Sequence, residues 1–118
     1  MGVTYRHLRD LETGRVLVDR LEVADSLWKR TVGLLGRKTL AEDSGLWLEP
    51  CGGVHTFGMA FSIDLLFLDR EGRALRAISA LKPWRIAGPM KGTRTVVELP
   101  AGTLARTESK AGNKFRLE

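Results

Sequence analysis

Cysteine is almost missing from this chain: Cys51 stands alone among 118 residues, so no internal disulfide can form. With only two histidines, His7 and His55, the thiol falls short of a zinc ligand set unless carboxylates complete it. No metal and no other cofactor is therefore expected. Long apolar runs are missing as well. No window reaches the roughly 20 apolar residues of a membrane-spanning helix. The segment Met1 to Asp10 is broken by charges where a secretory leader would be apolar, and a cytoplasmic location is expected. Helix-turn-helix, zinc-finger and RNA-binding aromatic motifs are absent, and so is a Gly-rich phosphate loop. Specific nucleic-acid recognition is thus not expected. No internal repeat, low-complexity run or linker divides the sequence.

What is present suits one soluble domain spanning residues 1–118. A hydrophobic content of 43% against 28% charged residues is enough for a real core in a chain this short. The net charge is +5, and its distribution matters more than its size. Between Arg73 and Arg94 lie six basic residues, Arg73, Arg76, Lys82, Arg85, Lys91 and Arg94, with no acid. The remainder is nearly balanced.

The local patterns are mostly those of strands. Val3 to Leu8 and Arg15 to Ala24 flank the turn Glu12-Thr13-Gly14 and are rich in β-branched residues. After Ala24 the period changes: Asp25 or Ser26 caps a helix whose apolar face carries Leu27, Thr31, Leu34 and Leu35, ending at Gly36. Leu46 to Leu48 and Val54 to Phe57 are short strands separated by Pro50 and Gly52-Gly53. Ile63 to Leu68 is apolar on both faces and reads as a central strand, turning at Asp69 to Gly72 into Arg73 to Ala80. Residues 82 to 94 read as a long loop of the kind that often carries function. Thr95 to Leu99 is a strand, Thr103 to Ser109 contains a helical turn, and Lys114 to Leu117 is the last strand. Many short strands, glycine turns and one packed α-helix predict a mainly β fold, a small single-domain β-sandwich or barrel-like structure.

The stretch from Cys51 to Asp69 places the thiol and one imidazole just before the central strand. Cys51, His55 and Asp64 are the candidate catalytic residues. A thiol activated by an imidazole and oriented by a carboxylate could act as a nucleophile, with the Gly52-Gly53 N–H groups facing a developing oxyanion. Against this, positions four apart in an extended chain lie more than ten ångströms apart, at ~3.3 Å per residue, unless the glycines fold the backbone back. Cys51 also suits plain packing. Alternation places Leu66 and Leu68 on the face of Asp64. That carboxylate is either a general base or a bracket tying the Phe57 to Ser62 loop to the backbone. Asp69 reads as a turn residue.

The second constellation is Lys82, Trp84 and Arg85 with Lys91 and Arg94. An indole among cations can stack on a ligand while the cations hold its negative groups. In the bland alternative the cations are a solvated face and Trp84 is folded into the core. Met59 and Met90 could line an apolar ligand or fill gaps. The combined candidate ligand-binding set is His55, Thr56, Met59, Asp64, Trp84 and Arg85.

These motifs taken in order resemble a known family. Thr31-Val32-Gly33-Leu34-Leu35-Gly36-Arg37 is similar to the run ending in Gly-Leu-Met and Arg of the domain of unknown function 192 family, also called uncharacterised protein family 0127. Ile63 to Gly72 is similar to its Leu-Asp-Ile-x-Phe-Ile-Asp-x-x-Gly segment, and Glu98 to Gly102 to its Glu-Leu-Pro-Ala-Gly. The resemblance covers about residues 23–117. Many members carry Trp-Met-x-Asn-Thr before the Asp strand. This chain has His55-Thr56-Phe57-Gly58-Met59 and looks like a subgroup with Val-His-Thr and Lys-Pro-Trp-Arg. The resemblance implies a compact, mainly β domain with one packed helix and Asp64 as a motif position, and it implies no activity. The expected function is a binding or accessory module for a small anionic ligand or a protein partner. The alternative is a Cys/His-dependent hydrolase or acyl-transfer enzyme.

Overall fold

In the computed structural model, which describes residues 5–24 and 40–118, the central apolar run becomes the strand β5 (Ile63–Leu68), buried at every position. Its alternation divides the core. Leu66 and Leu68 join Leu8, Leu21, Val97 and Leu99 on one face, while Ile63, Leu65 and Phe67 join Leu46, Leu48 and Val96 on the other. A strand with apolar side chains on both faces needs cover on both, which is why it lies inside the sheet.

The other elements in chain order are β1 (Tyr5–Asp10), β2 (Val16–Ala24), β3 (Ser44–Leu48), β4 (Val54–His55), β6 (Ala74–Leu81), β7 (Ile86–Ala87), β8 (Thr95–Pro100), α1 (Thr103–Thr107) and β9 (Phe115–Leu117). Seven strands form one sheet in the order β6-β5-β8-β3-β2-β1-β9, and β4 pairs with β7 in a separate ribbon. The β2–β3 pairing is parallel and the other named pairings are antiparallel. The two ends of the large sheet meet. Arg73, just before β6, bridges to Lys114, just before β9, and Phe115 N–H donates to Gly72 O at 2.8 Å. The sheet is thus mixed and barrel-like, as expected, with the short helix α1 packing Leu104 into the first core cluster.

Several boundaries differ from the sequence reading: β3 begins at Ser44 rather than Leu46, and β6 and β8 each run one residue further, to Leu81 and Pro100. β1 runs to Asp10 rather than ending at Leu8, because its far end pairs with both β2 and β9. β4 stops at His55, because Thr56 turns its backbone toward residues 82–85. The segment 82–94 is not loop throughout, since Ile86–Ala87 is a strand. The expected helix of Leu27 to Leu35 and the Thr31 to Arg37 motif lie outside the described residues. Among the described residues no helix is long and apolar enough to cross a membrane.

Gly72 makes the closure sterically possible. Its φ is +86°, and a Cβ there would sit 2.4 Å from Phe115 O. Gly72→Ala should therefore force the two sheet ends apart and cost about 2 kcal/mol or more, the scale of a strained left-handed residue plus lost closing bonds. Urea unfolding would measure it. A midpoint equal to that of the parent protein would mean that the sheet ends are not coupled.

Candidate functional site

The two short motifs flagged before and after β5, Val54-His55-Thr56 and Lys82-Pro83-Trp84-Arg85, meet in the fold. Val54 pairs with Ala87 and His55 with Ile86 across the ribbon. Thr56, fully buried, sits at the junction. Its Oγ1 donates to Lys82 O at 2.7 Å and accepts from Arg85 N–H at 2.9 Å. Its backbone completes the clasp, with Trp84 N–H donating to Thr56 O at 3.0 Å and Thr56 N–H to Arg85 O at 2.8 Å. This clasp holds Trp84 at φ +63°, a backbone region that costs a bulky residue ~1–3 kcal/mol and persists only when its surroundings impose it.

The clasp presents Trp84 outward. Its side chain is not folded into the core: Trp84 is 65% exposed, with Ile86 at 68% and Phe57 at 41% beside it. Phe57 stacks on Trp84 with ring centroids 5.8 Å apart, and the His55 ring lies 5.0 Å from Phe57 in a tilted arrangement. The His55 ring is oriented as well, because its Nδ1 accepts the Phe57 N–H at 3.2 Å. In the neutral ring the proton then resides on Nε2. Next to this ledge lies an apolar groove of about 310 Å³ lined by Val54, His55, Phe57, Ile86, Ala87 and Pro89. Its floor depends on close backbone approach, since a Cβ on Gly53 would lie 2.8 Å from Ala87 O. Lys82 lies at the edge of the clasp, where the exposed Arg85 donates from Nη1 to Pro83 O and Trp84 O at 3.4 Å.

The remaining candidates are placed elsewhere. Asp64 is fully buried. Its Oδ1 accepts from Ala80 N–H at 2.8 Å and its Oδ2 from Leu104 N–H at 2.9 Å. It is a bracket, but one that ties β6 and α1 together rather than the Phe57 to Ser62 loop. Met59 is buried in the second core cluster, and Met90 is partly buried against it. The Cys51 thiol donates to Gly53 O at 3.1 Å and faces a second hollow, of about 470 Å³, shared with Gly52, Arg70, Gly92, Thr93 and Arg94. Cys51, His55 and Asp64 thus engage separate backbone groups, Gly53 O, Phe57 N–H, and the N–H groups of Ala80 and Leu104 respectively. Asp69 caps its own turn, its Oδ1 accepting from the N–H groups of Glu71 and Arg73. Among the described residues no three His, Cys, Asp or Glu side chains gather as a metal site.

Of the six candidate ligand-binding residues, His55, Trp84 and Arg85 share the exposed face, while Thr56, Met59 and Asp64 are interior. Phe57 and Ile86 are the residues that sequence reasoning missed. The available signal was the apolar pair Ile86-Ala87 inside an otherwise polar and basic segment, which is the length of a minimal strand.

A mixed barrel-like sheet carrying a two-stranded ribbon, with aromatics displayed beside that ribbon, defines a small, mainly β domain. The chain belongs to the DUF192 family, described as "Uncharacterized ACR, COG1430", which matches residues 9–117. A UPF0127 protein of Pyrococcus horikoshii is 33% identical over 99 residues, covering 81% of this chain and 85% of that protein. One from Thermococcus sibiricus is 27% identical over 110 residues, covering 89% and 70%. Among solved structures, a protein of unknown function from Novosphingobium aromaticivorans superimposes with a TM-score of 0.81 at 20% identity, covering 97% of this chain and 84% of the other. A Sinorhizobium meliloti protein provisionally described as a transcription regulator gives 0.84 at 22% identity, covering 99% and 96%. At these identities the structural likeness speaks for the fold alone.

Proposed function

We propose that this domain is a binding module whose ribbon captures an apolar side chain of a protein partner, with acidic residues of that partner meeting Lys82 and Arg85. The observation that carries this reading is the clustering of Phe57, Trp84 and Ile86, all exposed, beside one apolar groove. Each large apolar side chain left in water forgoes ~1.5–3 kcal/mol of burial. Here three do so side by side on a strained, clasped turn. Aromatic anchors beside a pocket with charges at the rim are the usual anatomy of a protein-binding hot spot. A small anionic ligand is less well served, because the groove lining is mainly apolar and carries no cation. The hydrolase or acyl-transfer alternative would need Asp64 to orient His55, whereas Asp64 is fully buried and brackets β6 and α1, and His55 is exposed with its Nδ1 on the Phe57 N–H.

Site-specific photocrosslinking in cells of the source organism tests the proposal. A photoreactive residue placed at Ile86 is expected to trap one defined protein, and the same residue at Arg116, exposed on β9, should not. Trp84→Ala should weaken the purified pair by about 2 kcal/mol, roughly thirtyfold in Kd, as an anchor residue does. Equal crosslinking at both positions, or an affinity indifferent to Trp84→Ala, would sink the reading.

A further inference from the structure

The second hollow lies apart from the ribbon and has different chemistry. It forms where three strand ends converge. Arg94 N–H donates to Leu68 O at the end of β5, and Cys51 N–H donates to Arg94 O at 3.0 Å beyond the end of β3. Met90 N–H donates to Gly52 O, so the 50–53 and 88–94 segments lie backbone against backbone. Gly88 permits this approach: at φ +85°, a Cβ on it would sit 2.8 Å from Gly52 O. The result is a cavity of about 470 Å³ whose lining contains Arg70 and Arg94 and no acid.

Most of the described arginines have a side-chain partner. Arg9 and Arg116 pair with Glu118, and Arg15, Arg73 and Arg106 donate to main-chain oxygens. Arg70 and Arg94 make no side-chain hydrogen bond or ion pair among the described residues. Two like charges facing one hollow repel each other unless an anion lies between them. Further donors line the same space. The N–H groups of Gly52 and Gly92 donate to no protein acceptor among the described residues. Thr93 Oγ1 has no hydrogen-bond partner there either. An unpaired hydroxyl is costly to bury, and Thr93 is one of the residues that line the hollow.

We infer that this hollow is a binding site for a small phosphate-bearing molecule of the phosphomonoester class. Two guanidinium forks, each able to make paired bonds to oxyanion edges, match a dianionic phosphoryl group better than a single carboxylate. The hydroxyl and the loop N–H groups supply the remaining donors. The volume exceeds what a bare phosphate ion needs and falls within the ~300–1,000 Å³ range of small-molecule sites. The site is independent of the ribbon reading and stands or falls without it.

Cys51, the single cysteine, lines the cavity and serves as the reporter. The intact chain is titrated with inorganic phosphate and with glycerol 3-phosphate at constant ionic strength, and iodoacetamide alkylation of Cys51 is timed at each concentration. Both ligands are expected to slow alkylation saturably and to raise Tm, whereas acetate is not. Arg94→Gln and Arg70→Gln should each weaken the apparent affinity roughly tenfold or more, the scale of a charge-assisted hydrogen bond. Arg6→Gln, which removes the same charge from β1, should leave it unchanged. Binding by acetate as strong as by phosphate would overturn the phosphate assignment. Equal loss in the Arg6 variant, or no protection at all, would overturn the site. Because Arg70 and Arg94 are exposed, both variants are expected to unfold at the parent urea midpoint. A failure of either to fold would show instead that the arginines are structural and would overturn their role as ligand-binding groups.

Discussion

Replacing Asp64 with Ala is expected to lower the stability of the domain by about 3–5 kcal/mol, because the change leaves the buried Leu104 N–H and the partly buried Ala80 N–H without their charged acceptor. A domain of this size is stable by only ~5–15 kcal/mol in total, so the loss would be a large fraction of it. The physical reason lies in α1. Five residues are too few for a helix to persist alone, and Gly102 at its N-cap has no side chain with which to cap it. The missing cap comes from β5, where Asp64 Oδ2 accepts the Leu104 N–H and places a negative charge at the end of the helix where it is favoured. Its other oxygen holds Ala80, whose φ of +51° is a conformation that an alanine seldom adopts unaided. Urea unfolding would give the magnitude, and amide hydrogen exchange at Ala80 and Leu104 would locate it. Asp64→Asn keeps one acceptor and should lose roughly half as much. A cost below about 1 kcal/mol for Asp64→Ala would mean that the bracket is not what holds α1.

Asp10→Ala should be comparably damaging, at about 3–5 kcal/mol, for the same reason at the opposite end of the helix. Asp10 is fully buried. Its Oδ1 accepts from the N–H groups of Glu12 and Thr13 in the β1–β2 turn, and its Oδ2 accepts from Ser109 Oγ at 2.8 Å and Asn113 Nδ2 at 2.9 Å. Because Ser109 Oγ spends its only hydrogen on Asp10, Thr107 Oγ1 donates its own either to Ser109 Oγ at 2.9 Å or to Thr103 O at 2.8 Å. One carboxylate therefore joins the first hairpin to α1 and to the approach of β9. Removing it strands the buried Ser109 and Asn113 side chains. A double-mutant cycle of Asp10→Ala with Ser109→Ala should give a coupling of about 1–2 kcal/mol, within the range for members of one polar network. Strict additivity would show that the hydrogen bonds act separately.

Both predictions concern carboxylates whose importance is hard to read along the chain. Asp64 was visible as a polar residue inside an apolar strand, and Leu66 and Leu68 do share its face. What it binds was not visible, because Leu104 is 40 residues away. Asp10 gave less warning, since a short acidic side chain before a turn is ordinary there. Its buried partners Ser109 and Asn113 arrive only when the sheet curls and brings the chain ends together. The candidate site divides in the same way. His55, Trp84 and Arg85 could be picked out by residue type, while Phe57 and Ile86 entered the site only through the β4–β7 pairing.

The two-sided apolar pattern of Ile63–Leu68 was enough to define β5 to the residue, because a strand buried on both faces has no other way to satisfy its side chains. The glycine and Asx turn at residues 69–72 and the strand character of Thr95–Leu99 were equally local, resting on φ freedom and β-branching. Long-range arrangement decided the rest. Whether Trp84 is core or surface depends on the Thr56 clasp 28 residues earlier in the chain. Whether Arg70 and Arg94 share a cavity depends on the β5–β8 pairing. Local pattern records what a side chain prefers, whereas the pairing of distant strands decides which preferences are met inside the protein and which remain facing water.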